Sequence, residues 1–579
     1  MRRSTIALTI ICSVCIANMP LLYSQSFDNI KEQAPVQMNG AVSTSHVHSF
    51  PINDSLSARS YSGYYTGSLN TTIYGVNIPF SFTYTNNQSS FSHPFNQYGL
   101  QPSYKWIQGY IGYSSMSFSP YTMNGFLFYG VGVELTPPGI FQISSMFGRL
   151  QKTVFPDTTL NQIEPAHKRM AHATKIGIHK NQQSVSVNFL RAYDVKSFAA
   201  DTNLGYPYIP TQENAALSLE YSTQLAERIS LQGEFASSYI TKDTHEETVK
   251  IHNEIMRIPL WFMTNTASTF NRKAFKTSIQ YTQGVFLIGL GYERVDPEYQ
   301  TFGAYYFTNN LENSTLQLAL QLFNNKFSVS GNTGLQRDNL DNKQMNNTLR
   351  LVASTQLQYT ATEKLQLSAS YSNFASYTNV RSTFDYINAQ DPYSLYDTLN
   401  FRQISQSSSF SSNYNFGSSQ DKSQQISISG LWQETRETHT IDSVQSSYFY
   451  NAGSSYSINF IPIDLSCNVS LHYNFTEAQG NPSHTLGPTI GASKSLLDKS
   501  LRLSLSTSYN QVMQQARVQS KVLNLRIGAN YTIKKVHAIS LASSLQHAIS
   551  QAHTRKIVYT TISYAYSFNI LPRKIEDPN

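Results

Sequence analysis

The chain has 579 residues, of which 40% are hydrophobic but only 13% charged, against about 25% charged in an average soluble domain. Ser, Thr, Asn and Gln supply the missing polarity, and 38 Tyr plus 32 Phe stand against 3 Trp. The net charge of +7 is spread along the chain with no basic stripe between aromatics, which excludes nucleic acid as a partner.

The first 24 residues read as a signal peptide, with Arg2 and Arg3 ahead of an apolar run from Ile6 to Ala17 and cleavage near Ser24. Cys12 and Cys15 leave with it, so Cys467 stands alone and no disulfide framework is expected. Residues 25–66 are polar and irregular, and a lead-in segment without regular structure is expected there. Within residues 67–103 an alternating pair, Ser68 to Tyr74 and Ile78 to Tyr84, precedes a loop rich in Ser, Asn, Gln and Pro. His46 and His48 fall in the lead-in, where an unstructured segment is a better reading than a metal site.

From Tyr104 onward one pattern repeats: strand, long connection, strand, short turn. The short turns include Thr136-Pro137-Pro138-Gly139, Ala226-Glu227-Arg228, Asn324-Asn325, Leu497-Asp498-Lys499 and Lys534-Lys535. The longer connections are Thr241 to Asn271, Val380 to Phe401 and Gln433 to Gln445. Between them Leu316, Leu318, Leu320 and Leu322 alternate with polar partners, as do Leu523, Leu525, Ile527 and Tyr531. The chain ends on the same period: in Lys556 to Phe568 the face of Val558, Ile562, Tyr564, Tyr566 and Phe568 opposes that of Thr561, Ser563 and Ala565.

This last stretch resembles the C-terminal strand of Gram-negative outer-membrane β-barrels, which serves as a barrel-assembly signal. Thr561, Ser563, Tyr566 and Phe568 occupy the positions of its polar residue, its small residue and its two aromatics. Ser563 stands where Gly is usual, and Asn569 to Asn579 follow the aromatic that ordinarily ends such a chain. The resemblance implies the cell outer membrane as location, with outer-membrane lipid, lipopolysaccharide and the barrel-assembly machinery as partners. Short turns on one side and long loops on the other fit the same layout. The expectation is therefore an all-β, transmembrane, antiparallel up-and-down barrel over residues 104–568. It has about 22 strands, in a range of about 20–24. Residues 25–66 and the tail 569–579 are then periplasmic, and residues 67–103 either begin the barrel or enter the lumen. A soluble β protein gives the same alternation strand by strand, but rarely twenty times over.

No motif for catalysis, cofactor binding or metal binding is present, so no enzyme, cofactor or metal is expected. The chemistry lies in charges predicted to face the lumen: Glu134, Lys175, Glu220, Glu234, Lys276, Arg350, Arg502 and Arg526. The turn at Ala226-Glu227-Arg228 sets Glu220 directly opposite Glu234, which is unfavourable unless a cation or a proton relieves it. One reading is a constriction with acid on one wall and base on the other. The other is pairing of these charges with one another or with an inserted segment. The stretch Tyr292 to Tyr299 with Gly303 to Phe307 offers either a glycan grip at a strand's outer end or, preferably, an outer aromatic girdle.

A barrel this wide needs something in its lumen, and no compact plug domain precedes Tyr104. The early pair and its loop, or a partner protein, are the expected fillers. The leading functional expectation is a channel or transport barrel for small polar or charged solutes. The alternatives are a non-transporting outer-membrane subunit for assembly, secretion or surface attachment, and a soluble exported adhesin.

Overall fold

A computed structural model describes residues 36–570 except 53–59, 87–95, 156–164, 199–207, 250–262, 306–307, 343–348, 374–375, 380–400, 405, 418–419, 440–442, 479 and 552. The expected signal peptide, the connection Val380 to Phe401 apart from its last residue, and residues 571–579 of the tail lie outside the described residues.

Alternating sequence of this kind has one stable outcome: each strand pairs with the next, and the faces sort by polarity. Among the described residues 26 strands form one antiparallel wall. Gln97–Leu100 and Ser103–Tyr104 are two halves of one of them, interrupted at Pro102, which has no N–H to give the ladder. The wall closes where Val36–Ile52 pairs with Thr554–Ile570, from Met38 opposite Ile570 to Ile52 opposite Lys556. Closure leaves the wall no free edge, and that is how a barrel pairs its strand backbones without water.

The strand number corrects the expectation of about 22. The strands counted from Tyr104 onward are present, and four more precede them: Val36–Ile52, Ser60–Ile73, Val76–Thr85 and the broken strand. Residues 36–52 and 60–66 are thus wall and not a periplasmic lead-in, and the early pair stands in the wall and not in the lumen. The reason is local. Val36–Ile52 is polar on both faces, with Asn and Ser on one and Thr and His on the other, and Val36, Val42, Phe50 and Ile52 are its only large exposed apolar side chains, so its period is faint. His46 and His48 belong to this strand, His46 donating to or accepting from the Tyr61 hydroxyl at 2.8 Å. Gln433 to Gln445 is also mostly strand: Lys422–His439 and Ser443–Phe460 run through it as an 18-residue pair.

The two ends differ as the turns predicted. Tight connections such as Tyr74-Gly75, Asn181-Gln182, Asn324-Asn325 and Lys534-Lys535 lie at the end where the last strand finishes. Several adopt left-handed backbone without glycine, Lys534 at φ 50° and Lys535 at φ 60° among them, the geometry of a type I′ hairpin. The opposite end carries the longer connections in the first two thirds of the chain. Toward the C-terminus it is closed by tight hairpins such as Gln515-Ala516.

The large apolar side chains left exposed all round the wall share its outer face: Val131, Leu219, Leu290, Leu351, Val469, Leu505, Ile527 and Ile562 among them. A soluble protein rarely exposes an apolar belt of this extent, and hydrocarbon is the solvent that suits it. At the seam Gly40 lies directly across from Phe568. A Cβ there would meet the Phe568 ring at 3.1 Å, so the glycine makes room for the aromatic that seals first strand to last. Closed wall and apolar outer face together define an outer-membrane type of β-barrel.

Candidate functional site

The inner face is organised by register. Following cross-strand partners from Ser186 gives one continuous rung: Ser186, Glu220, Glu234, Lys276, Glu293, Asn313, Gln336 and Arg350. Five of these side chains are ionisable. The next rung carries Glu134, Ser144, Lys175, Asn188, Ser218 and Ala236. Six of the eight expected luminal charges therefore fall on two adjacent rungs of one wall. Arg502 and Arg526 stand on strands about half the ring away, Arg502 reaching the Ser493 hydroxyl at 3.1 Å. Of Arg350 only the backbone position is described.

Glu220 and Glu234 do face each other, and each has a separate relief. Lys175 Nζ lies 2.8 Å from Glu220 Oε2, which also accepts from Ser186 at 2.9 Å. Glu234 is buried and accepts from the hydroxyl of Ser119, a residue that belongs to no wall strand. Glu134 accepts from Tyr110 at 3.0 Å. Lys276 stands exposed between Glu234 and Glu293, its cross-strand neighbours. No ion pair within 4 Å reaches it among the described residues.

Ser119 enters the lumen because two connections from the long-loop end fold inward. The first, residues 118–123, links Ile107–Ser117 to Asn124–Leu135; the second, residues 296–310, links Phe286–Val295 to Leu311–Leu322. They hold each other. Met123 and Gly303 form a parallel bridge, and Asn124 donates to the Gly303 carbonyl at 2.9 Å. Tyr299 and Thr301 donate to the carbonyls of Tyr121 and Thr122 at 2.7 and 2.5 Å. They also hold the wall: Tyr121 Oη donates to Glu293 at 2.6 Å, Lys175 to the Phe118 carbonyl at 2.8 Å, and Phe302 N–H to Asn214 at 3.0 Å. Gly303 is required at the crossing, since a Cβ would collide with the Thr122 carbonyl and Met123 backbone.

Packing explains the inward fold. Met116, Phe126, Phe128, Met146 and Leu190 point into the lumen on this wall, where water would otherwise meet them. Phe118, Met123 and Phe302 cover them. Fully burying one such side chain is worth about 1.5–3 kcal/mol, so several together hold a short segment in place. Met123 and Tyr299 are 0% exposed.

This corrects two expectations. The lumen is occupied on one side by residues 118–123 and 296–305, and not by the early strand pair. Tyr299 is not part of a girdle: it is sealed against Tyr121, and Tyr305 stacks on Phe126 with ring centroids 4.1 Å apart. The sequence held a signal for this. In Asn124–Leu135 the run Phe126-Leu127-Phe128-Tyr129 is apolar on both faces, and an inner face needs a reason to be apolar. Beside the infolded segments one stretch of the inner wall is neutral. A cleft of about 430 Å³ there is lined by Gln280, Gln317, Asn332, Gln356 and the hydroxyls of Ser330, Ser354, Ser370 and Ser372.

No protein-family model matches the chain, and no curated protein matches it. Among solved structures it is similar to OccAB4 of Acinetobacter baumannii, at 7% identity and a TM-score of 0.31 over 93% of this chain and 99% of that one. It is similar to the P pilus usher PapC translocation pore, at 9% identity and a TM-score of 0.33 over 92% and 99% of the two chains. The ferric citrate transporter FecA gives 8% identity and a TM-score of 0.37 over 91% and 79%. The assignment to outer-membrane barrels rests on the closed wall and its outer face.

Proposed function

We propose that this chain is an outer-membrane channel for small polar or charged solutes, with its constriction at the charged rung. The observation that carries the proposal is the coincidence of two features on one wall. Five ionisable residues share one luminal rung by register, and the infolded segment 118–123 reaches two of them, Glu234 and Glu293. Narrowing at a row of fixed charges is how a wide barrel becomes selective, because the field of the charges acts over a short, water-poor path. Carboxylates outnumber cationic residues on the two rungs of this wall, with Glu134, Glu220, Glu234 and Glu293 against Lys175, Lys276 and Arg350. Cations are therefore favoured near this wall.

The test is the reversal potential of the purified protein in a planar bilayer under a potassium chloride gradient. Cation preference is expected in the wild type, reduced at least twofold as a permeability ratio when Glu220 and Glu293 are both changed to Gln. An unchanged ratio in that variant would remove the rung from the conduction path.

A further inference from the structure

One stretch of the outer face is unlike the rest. Where the broken strand Gln97–Leu100 meets Ile107–Ser117 and Asn124–Leu135, an apolar groove of about 470 Å³ opens on the lipid side, lined by Phe80, Leu100, Ile111 and Val131. Leu100, Ile111 and Val131 are cross-strand neighbours in register, and Ile111 and Val131 are 49% and 54% exposed. Gly99, Gly112 and Gly130 form its floor. Gly112 has φ +89° and Gly99 and Gly130 lie against neighbouring carbonyls, so no side chain stands on the wall at these positions.

Toward the long-loop end the groove is capped by polar aromatics and a cation. Tyr113 and Tyr129 pack at 4.7 Å between centroids, with Tyr98 beside them at 5.7 Å from Tyr129, its hydroxyl 2.5 Å from that of Tyr129. Arg149 is the cross-strand partner of Tyr129, sits near the outer end of Phe141–Gln151, and faces outward like its neighbour Phe147. Its guanidinium donates to the Tyr113 hydroxyl at 2.9 Å and lies 5.1 Å above the Tyr129 ring. Among the described residues no carboxylate pairs with Arg149 or with nearby Lys152. Burial, then the Arg149 charge, hold the Lys152 ammonium below its ordinary range.

A cation on the lipid face costs roughly 2–4 kcal/mol at the bilayer midplane and about 0–1 kcal/mol near the interface. Arg149 is at the depth where it can be kept, and it is fixed by its tyrosines instead of by an acid. Its free N–H groups and the tyrosine hydroxyls then face the headgroup layer directly above a slot for hydrocarbon. We infer that this surface binds a phosphorylated, acylated glycolipid of the outer leaflet, with a phosphate on Arg149, sugar hydroxyls on the Tyr98–Tyr129 pair and one acyl chain in the groove. Charge complementarity selects the phosphate, since Arg meets phosphate oxygens in pairs. The aromatic faces select a sugar over a bare glycerol headgroup. The inference rests on the outer-membrane reading of the fold and not on the channel.

The experiment is native mass spectrometry of the full chain refolded into nanodiscs and offered diphosphoryl lipid A, phosphatidylglycerol or phosphatidylcholine. The wild type is expected to retain lipid A at least tenfold over phosphatidylcholine. Arg149→Gln is expected to lose most of that preference through the phosphate, and Val131→Trp through the acyl slot. Ile527→Trp, on the outer face of a distant strand, is expected to change nothing. Failure of every variant and the wild type to fold into the bilayer, read by heat modifiability, would overturn the membrane reading itself. Folded Arg149→Gln that retains lipid A like the wild type would overturn the site alone. Equal retention of phosphatidylglycerol and lipid A would overturn the glycolipid assignment.

Discussion

Lys175 decides whether Glu220 and Glu234 can share the inner face. It lies in the rung beside theirs, partly buried, and places its charge 2.8 Å from Glu220. Replacing Lys175 with Met leaves two carboxylates opposed across one strand pair, and the cost is expected to be about 1–2 kcal/mol, less than for a dry site because the lumen admits water. Adding Glu220→Gln should restore most of it. Urea unfolding of the two variants in lipid vesicles measures the coupling, and additive effects would show that the pair does not interact. A second residue is informative for a different reason. Ala516 holds φ +60° in the two-residue hairpin Gln515-Ala516, a conformation that costs an L-residue about 1–2 kcal/mol and glycine almost nothing. Ala516→Gly is expected to stabilise the barrel by about 1 kcal/mol in the same assay. No loss or gain would mean the turn is not left-handed. Nothing in Gln-Ala announces this turn, whereas Asn324-Asn325 announces its own, because only Asn, Asp and Gly mark left-handed backbone in a sequence.

At the scale of elements, the closing strand is where sequence and structure meet most closely. Thr561 and Ser563 face the lumen, Ser563 touching Ser45 at 2.8 Å, while Tyr566 faces outward and stacks with His537 and Phe568. The strand continues to Ile570, so Asn569 and Ile570 belong to the wall and not to the tail. Deleting residues 571–579 is expected to leave assembly intact, and Tyr566→Asp with Phe568→Asp to reduce the heat-modifiable band severalfold. Equal insertion of both variants would separate this strand from the assembly signal. The parity of strands and turns from Tyr104 onward was legible because the period of two persists over many hairpins and one wrong assignment would invert every face. The first strand was not legible. Seventeen residues with Ser and Asn on one face and Thr and His on the other carry almost no period of polarity, and the strand's place is fixed by the two strands it joins.

At the scale of the molecule, one wall of a 26-stranded ring is thickened from within, and the stretch beside it presents amides and hydroxyls to the lumen. The opposed pair Glu220 and Glu234 could be read from a single hairpin, because turn geometry sets register over a dozen residues. The partners of Glu234 and Glu293 could not. Ser119 and Tyr121 reach them across sequence separations of 115 and 172 residues, and no local pattern encodes that meeting. The nearest clue was the apolar inner face at Phe126 and Phe128, which demands a cover without naming it.

The central claim is that solute passes this lumen at a constriction formed by the infolded segments. Gly303→Val tests it most directly, because a side chain there meets the Thr122 carbonyl and Met123 backbone and drives the two segments apart, while the sequence of every wall strand is kept. In planar bilayers the wild type is expected to show stepwise conductance, and Gly303→Val larger steps with weaker cation preference. A folded wild type and a folded Gly303→Val that both fail to conduct would contradict the account.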